Sequence, residues 1–268
     1  MSTRLSWDRA GSGEALLLLL HGIGTTHEDF SALRPALEAE YDVLAVDLPG
    51  HGDSPALSER PTIHAVTEAI EEDLGALGIG RVHVLGNSLG ARIALELARR
   101  DRALSVVSIA PSGLNLLSER IYQGVAMSTF RLLMFILHPA IGPLARFPAG
   151  RVALLTGLRS QPWLASEVEA RALREGFGEC EDFWRLLFWG LLADVPTGLD
   201  DVRCPVILAQ GTADVVASGQ TPRYFLALPG ATFQPLLGAG HAPQSDAPGS
   251  ILRLVRQATR RADALRTG

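Results

Sequence analysis

The amino-acid sequence predicts an α/β fold in which helices cover both faces of a mostly parallel β-sheet. The main observation is an alternation along the chain between short apolar runs, which fit buried strands, and longer segments with helical spacing. The 268 residues are enough to bury one large core. A composition of 47% hydrophobic and 20% charged residues is typical of a soluble globular protein.

Six apolar runs bounded by Gly, Pro or polar residues are the predicted strands: residues 15–20, 43–46, 82–85, 106–109, 206–209 and 232–237. Five segments between and after them have helical spacing or composition: residues 30–39, 63–77, 91–100, 222–227 and 251–265. Catalytic groups in such a sheet gather just beyond the C-terminal ends of the strands. Polar residues that follow the strands are therefore the first candidates for a site.

One long interval, residues 114–200, contains no predicted strand and is rich in aromatic residues. We expect a helical insertion over the sheet, in which most large apolar side chains form a small core of their own. Some of them should face a pocket beneath the insertion, where they would exclude water and select substrate. The candidates for this pocket are Phe130, Met134, Trp163, Trp184 and Phe188.

A serine between two glycines follows the third apolar run. Gly86, Ser88 and Gly90 form a Gly-x-Ser-x-Gly pattern at a predicted strand-to-helix turn, which presents the serine hydroxyl above the sheet. The glycines leave room for the tight turn. Taken alone, the pattern is equally typical of a serine that caps a helix, so the rest of the chain must decide.

Two further strand ends carry the residues that a nucleophilic serine needs. His241 lies in a glycine-rich loop after the last predicted strand, and Asp214 lies in a turn after the strand 206–209. A histidine can act as the general base and a carboxylate can orient it. The alternatives are a histidine in a surface loop and an aspartate that caps a turn.

The loop that follows the first predicted strand begins at His21. Its glycines allow backbone N–H groups to turn towards an oxyanion, with Ile23 as the first choice of donor and Gly24 as the second. The N–H of Leu89, next to the serine, would be the other donor. We expect His21 and His51 to have structural roles.

Together these residues make the chain similar to capped serine hydrolases of the α/β-hydrolase fold superfamily. The similarity rests on the loop at His21, the segment 47–52, the elbow at Ser88, Asp214 and Gly240-His241. It implies an eight-stranded type of sheet with a helical cap inserted after the sixth strand. Residues 1–113 and 201–268 would form the core, and residues 114–200 the cap.

The resemblance implies a triad of Ser88 as nucleophile, His241 as base and then acid, and Asp214 as the group that orients the imidazole. The expected activity is hydrolysis of a carboxylic ester or thioester of a small apolar substrate. Relatives that open epoxides or displace halide use Asp at the elbow, so we do not expect those activities. Asn87, before the serine, resembles some carbon–carbon bond hydrolases and is a further candidate pocket residue.

Three alternatives remain open at this point. The same triad could serve a carbon–carbon bond hydrolase or lyase of the meta-cleavage-product type, or a perhydrolase. The fold could also serve a ligand-binding protein without catalysis, although such a protein has no need for all three groups.

Composition excludes several other functions. All 24 basic residues are Arg, which excludes Schiff-base, P-loop and Ser-Lys chemistry. A net charge of −5 gives no basic surface for nucleic acid. Cys180 and Cys204 fit neither a disulfide framework nor a metal site, and we expect no cofactor.

The N-terminus lacks a signal peptide, and the apolar runs 15–20 and 132–137 are too short to span a bilayer. We therefore expect a cytoplasmic protein without an integral membrane segment. A homodimer is possible.

Overall fold

A computed structural model describes residues 4–267. Within that range seven strands form one sheet in the order β1-β3-β2-β4-β5-β6-β7. They are β1 (Trp7–Ala10), β2 (Leu16–Leu20), β3 (Asp42–Val46), β4 (Val82–Asn87), β5 (Ala103–Ile109), β6 (Val206–Gly211) and β7 (Thr232–Leu236). All neighbouring pairs are parallel except β1 and β3. The predicted fold class is confirmed.

The number of strands differs from the expectation of an eight-stranded type of sheet. The described part of the chain has seven strands, so the helical segment follows the fifth strand and not the sixth. The first of these strands, β1, was not among the predicted runs because its sequence, Trp-Asp-Arg-Ala, is polar and none of its residues is fully buried. An edge strand of this kind carries no apolar signal.

Each face of the sheet has its own core, as the alternation of side chains along a strand requires. Leu18 and Leu20 of β2 pack on one face with helices α2 (Ile63–Ala76) and α3 (Leu89–Arg99). Leu17 and Leu19 pack on the other face, where α1 (Arg34–Glu38) and α9 (Pro248–Thr267) lie. The predicted helix 30–39 is divided into a 3-10 turn at His27–Phe30 and α1.

The segment between β5 and β6 is helical. It contains α4 (Leu117–Ala145), α5 (Pro148–Leu155), α6 (Glu167–Leu173) and α7 (Phe183–Arg185), together with π-helical turns at Arg174–Gly178 and Leu186–Ala193. Helix α8 (Gln220–Ala227) follows β6. We call residues 114–200 the helical insertion. Its description as a separate cap domain stays a prediction.

Helix α4 is longer than the apolar run 132–137 suggested. It has 29 residues, and among the described helices it is the one long and apolar enough to cross a membrane, by length and composition only. Its outward side chains Leu117, Ile121, Val125, Phe135 and Ile136 are exposed. The absence of an integral membrane segment therefore stays a prediction.

Candidate active site

The turn between β4 and α3 has the backbone geometry that the Gly-x-Ser-x-Gly pattern predicts. Ser88 has φ 55° and ψ −111°, a conformation of neither strand nor helix, and its N–H donates to Ile109 O at 2.8 Å. A Cβ at Gly86 would lie 2.3 Å from Gly90 O, and a Cβ at Gly90 would lie 2.1 Å from Leu20 O. Both glycines are required because the backbones approach so closely.

The predicted base and acid contact each other. His241 Nδ1 lies 2.8 Å from Asp214 Oδ2. Asp214 Oδ1 accepts hydrogen bonds from the N–H groups of Val216 at 2.7 Å and Ala217 at 3.0 Å. Burial alone would raise the pKa of Asp214, but His241 and these N–H groups outweigh it and lower the pKa to about 2. Asp214 is therefore an ionised carboxylate that fixes one nitrogen of the imidazole.

Ser88 and His241 line the same cavity. With Nδ1 donating to Asp214, Nε2 is the nitrogen left as an acceptor for a proton. Among the described residues no hydrogen bond joins Ser88 Oγ to His241 Nε2. Catalytic hydrogen bonds are often long in unliganded enzymes and shorten when substrate binds.

Of the two loop residues predicted as oxyanion donors, one is already committed. The N–H of Gly24 donates to His51 Nε2 at 3.0 Å, which removes it as a donor to an oxyanion. Ile23 lines the cavity, and a Cβ on the neighbouring Gly22 would lie 3.5 Å from Ser88 Cβ. Leu89 opens α3, where backbone N–H groups have no partner within the helix. Ile23 and Leu89 therefore remain the candidate donors.

The two histidines predicted to be structural hold this loop. His21 Nε2 accepts from Leu48 N–H at 2.9 Å, and His21 Nδ1 lies 2.8 Å from Gly22 O. Burial lowers the pKa of His21 to about 4 and that of His51 to about 3, so both rings are neutral. A neutral ring can accept one hydrogen bond and donate another, as both rings do here.

Asn87 is the one predicted pocket residue that lines the cavity. Its side-chain amide donates to His241 O at 3.0 Å and to Ile109 O at 3.3 Å. These bonds join the end of β4 to the loop that carries the histidine. The contacts point to positioning of that loop.

The other five predicted pocket residues do not line this cavity. Trp163, Trp184 and Phe188 are more than half exposed, at 54%, 52% and 57%. Met134 is fully buried in the core, and the Phe130 ring packs edge-on against Phe177 at 4.7 Å. These side chains were predicted from their size and apolar character. Which side chains line the cavity depends instead on the direction in which each helix faces.

Sequence reasoning missed most of the residues that do line the cavity. Those from the helical insertion are Gln123, Met127, Leu158, Phe177 and Leu191. The first two belong to the buried positions of α4, which recur at helical spacing (Gln123, Met127, Met134, Ile141 and Ala145). The exposed side of α4 is apolar as well, so a hydrophobic period does not single out the buried side. Leu158 lies in a turn, and Phe177 and Leu191 lie in the two π-helical segments, so none of the three belongs to a regular α-helical period.

The cavity wall also contains a buried carboxylate, Asp29. Arg159 of the insertion contacts Asp29 Oδ1 at 2.6 Å and Glu169 Oε1 at 3.0 Å, and it donates to Ala242 O at 2.9 Å. Gln244 donates to Asp29 Oδ2 at 2.8 Å. These bonds fasten the insertion to the core next to His241. Within residues 4–267, no group of three or more His, Cys, Asp or Glu residues is arranged to hold a metal ion.

Comparison with known proteins finds several relatives of this chain. Over 254 residues the chain is 29% identical to a pimeloyl-[acyl-carrier protein] methyl ester esterase of Aromatoleum aromaticum, covering 91% of this chain and 98% of that protein. It is 29% identical to the epoxide hydrolase EphH of Mycobacterium tuberculosis over 71% of this chain and 91% of that protein. A third match is 35% identical to an acetyltransferase component of the acetoin cleaving system of Pseudomonas putida but spans only 30% of that protein.

Solved structures have the same fold. The enol-lactonase from Burkholderia xenovorans LB400 superposes with a TM-score of 0.73 at 21% identity, over 94% of this chain and 95% of that one. The family model described as the alpha/beta hydrolase family matches residues 17–253. This match spans most of the chain, and the strands and helices are arranged as in the solved structure above. The protein therefore belongs to the alpha/beta hydrolase family.

Proposed function

We propose that the protein is a serine hydrolase that cleaves a carboxylic ester or thioester of a small apolar substrate. The observation that carries the proposal is that Ser88, on its strained turn, and His241, bonded to Asp214, line one cavity. Ser88, Asp214 and His241 follow the C-terminal ends of the parallel strands β4, β6 and β7. Enzymes with α/β folds have their active sites at this edge of the sheet.

The proposed reaction begins with attack of Ser88 Oγ on the acyl carbon. His241 Nε2 takes the serine proton, and Asp214 stabilises the imidazolium that forms. The N–H groups of Ile23 and Leu89 donate to the oxyanion. His241 then protonates the leaving alcohol or thiol, and the acyl group stays on Ser88. Water, activated by His241, releases the carboxylic acid.

An apolar substrate fits the walls of the cavity. Met127, Leu158, Phe177, Leu191 and Val216 contribute apolar side chains. Such walls exclude water from the acyl-enzyme and strengthen hydrogen bonds to the oxyanion. The named esterase from A. aromaticum supports ester chemistry. The named epoxide hydrolase points to a different reaction, but the elbow of this chain has Ser88 where epoxide-opening relatives use Asp.

The decisive experiment is labelling with a fluorophosphonate probe together with hydrolysis of p-nitrophenyl esters of increasing acyl length. We expect the probe to label wild-type protein at Ser88. Ser88→Ala should abolish labelling and lower kcat by on the order of 10⁴-fold or more, since the nucleophile is lost.

Ser108→Ala is the matched control, because Ser108 is a buried serine of β5 whose hydroxyl bonds to Ala91 O at 3.3 Å. It should label as the wild type does. The proposal fails if folded wild-type protein resists the probe, or if Ser88→Ala is still labelled. Inert esters combined with consumption of a ring-cleavage dienoate would favour carbon–carbon bond hydrolysis. Product formed only with added peroxide and a short acid would favour a perhydrolase.

A further inference from the structure

Two buried polar side chains in the wall of the reactive cavity have hydrogen-bonding atoms without a partner. Ser112 and Gln123 are each 2% exposed, and both line the cavity with Ser88 and His241. Within residues 4–267 neither Ser112 Oγ nor Gln123 Oε1 has a hydrogen-bond partner. A buried polar atom left unpaired destabilises the folded protein. Ser112 Oγ and Gln123 Oε1 are therefore free to bind a polar group of a ligand in this cavity.

The protein holds both side chains in place. The N–H of Ser112 lies 3.5 Å from Ser88 O, and Ser112 O accepts a hydrogen bond from Tyr224 Oη at 2.6 Å. Ser112 is thus anchored next to Ser88, three residues after the end of β5. Gln123 Nε2 donates to Val216 O at 2.9 Å, which leaves Gln123 Oε1 as the free atom of the amide.

The chemistry of the two free atoms limits the groups they can bind. Gln123 Oε1 can only accept a hydrogen bond, whereas Ser112 Oγ can donate or accept. A carboxylate would be repelled by the amide oxygen, and an ether or ketone would have no proton for it. A hydroxyl group satisfies both atoms, because it donates to Gln123 Oε1 and accepts from Ser112 Oγ.

Building on the proposed serine hydrolase function, we propose that the substrate is an ester or thioester of a short hydroxy-substituted acid whose hydroxyl binds to Ser112 and Gln123. We assign the hydroxyl to the acyl part of the substrate, because this part stays bonded to Ser88 in the cavity while the alcohol or thiol departs. Ser112 and Gln123 then determine specificity and take no part in bond cleavage.

The test compares p-nitrophenyl esters of butanoic, 2-hydroxybutanoic, 3-hydroxybutanoic and 3-methoxybutanoic acids. The methoxy ester keeps the electron-withdrawing oxygen but cannot donate to Gln123 Oε1. We expect wild-type kcat/KM for at least one hydroxy ester to exceed that for both the plain and the methoxy ester by about tenfold or more, because an unpaired polar site discriminates against substrates that lack its partner. Gln123→Met and Ser112→Ala should each bring this ratio towards one.

Met127→Leu is the matched control, since Met127 lines the same cavity one helical turn from Gln123 and offers no such bond. It should keep the preference. Equal turnover of all four esters by the wild type would overturn the proposal and leave the serine hydrolase function intact. A preference that appears only when the hydroxyl is on the alcohol part would also overturn it. If no ester is cleaved and the fluorophosphonate does not label Ser88, the proposed function itself fails.

Discussion

Strain at Ser88 is held in place by its immediate neighbours. A φ of 55° is unusual for a residue with a side chain, and such conformations cost about 1–3 kcal/mol. The hydrogen bond from Ser88 N–H to Ile109 O and the close packing of Gly90 on β2 oppose relaxation of the turn. Ile109 and Gly90, which have no chemical role, thus maintain the strained conformation of Ser88.

Gly90→Ala tests this dependence. The added Cβ would lie 2.1 Å from Leu20 O, which is strand backbone and cannot move alone. We expect the free energy of unfolding in urea to fall by about 1–3 kcal/mol, as for other overpacked sites, and ester hydrolysis to be lost. Gly75→Ala in α2, where a Cβ meets nothing within 4 Å, should be neutral or stabilising. A stable and active Gly90→Ala protein would contradict the argument.

The residues predicted best from sequence are those fixed by local chain geometry. Ser88 follows β4 directly, and Asp214 and His241 lie three and five residues after the ends of β6 and β7, so their placement at one sheet edge required only the strand assignments. The second predicted loop donor, the N–H of Gly24, is bonded to His51, which lies 27 residues away in sequence. Whether another residue already binds an N–H group depends on tertiary structure, and the local amino-acid sequence does not show it.

At the scale of elements, the insertion was predictable as helical but not in its orientation. Helix α4 is apolar on its inner side, at Met127, Met134 and Ile141, and also on its outer side, at Leu117, Ile121 and Phe135. Because both sides are apolar, hydrophobicity could not show which one faces the core. Gln123 is a polar residue among the buried positions of this helix, and its Nε2 donates to Val216 O.

The π-helical turn Arg174–Gly178 packs directly on the loop that follows β2. A Cβ at Gly176 would lie 2.2 Å from Gly24 O, and a Cβ at Gly24 would lie 2.5 Å from the Phe177 ring. Phe177 itself lines the cavity. This element therefore couples the insertion to the candidate oxyanion donor at Ile23.

Gly176→Ala should separate the two elements. We expect kcat/KM for p-nitrophenyl butanoate to fall by about tenfold or more, because small displacements of positioning groups are costly in the transition state. Gly124→Ala is the control in the same insertion, since its Cβ would come no closer than 3.4 Å to Leu192, and it should hydrolyse the ester as the wild type does. Equal activity of the two variants would show that the turn does not support the loop.

For the whole molecule, the insertion and the sheet are joined by a buried cluster of charges. Arg159 lies between Asp29, which precedes α1, and Glu169 of α6, and each of these three side chains is almost fully buried. Burial raises the pKa of Asp29 to about 6, while the charge of Arg159 acts in the opposite direction without overcoming it. The junction between the two parts of the molecule is therefore sensitive to pH.

The sign of this sensitivity follows from linkage. The native state raises the pKa of Asp29 from 3.8 to about 6, so it binds the proton more tightly than the unfolded state, and the contribution of this group to stability is lost as pH rises from about 4 to about 6. Asp29→Asn removes the titration. Over that range urea unfolding should show the stability of the variant increasing relative to wild type, by on the order of 1–3 kcal/mol.

Asp214→Asn should behave differently, because the pKa of Asp214 is lowered to about 2 and its contribution is lost only as pH falls below about 4. The difference in stability between wild type and Asp214→Asn should then shrink as pH falls from about 4 to about 2. A flat difference for Asp29→Asn, or one that moves in favour of the wild type as pH rises, would refute a charge-sensitive junction.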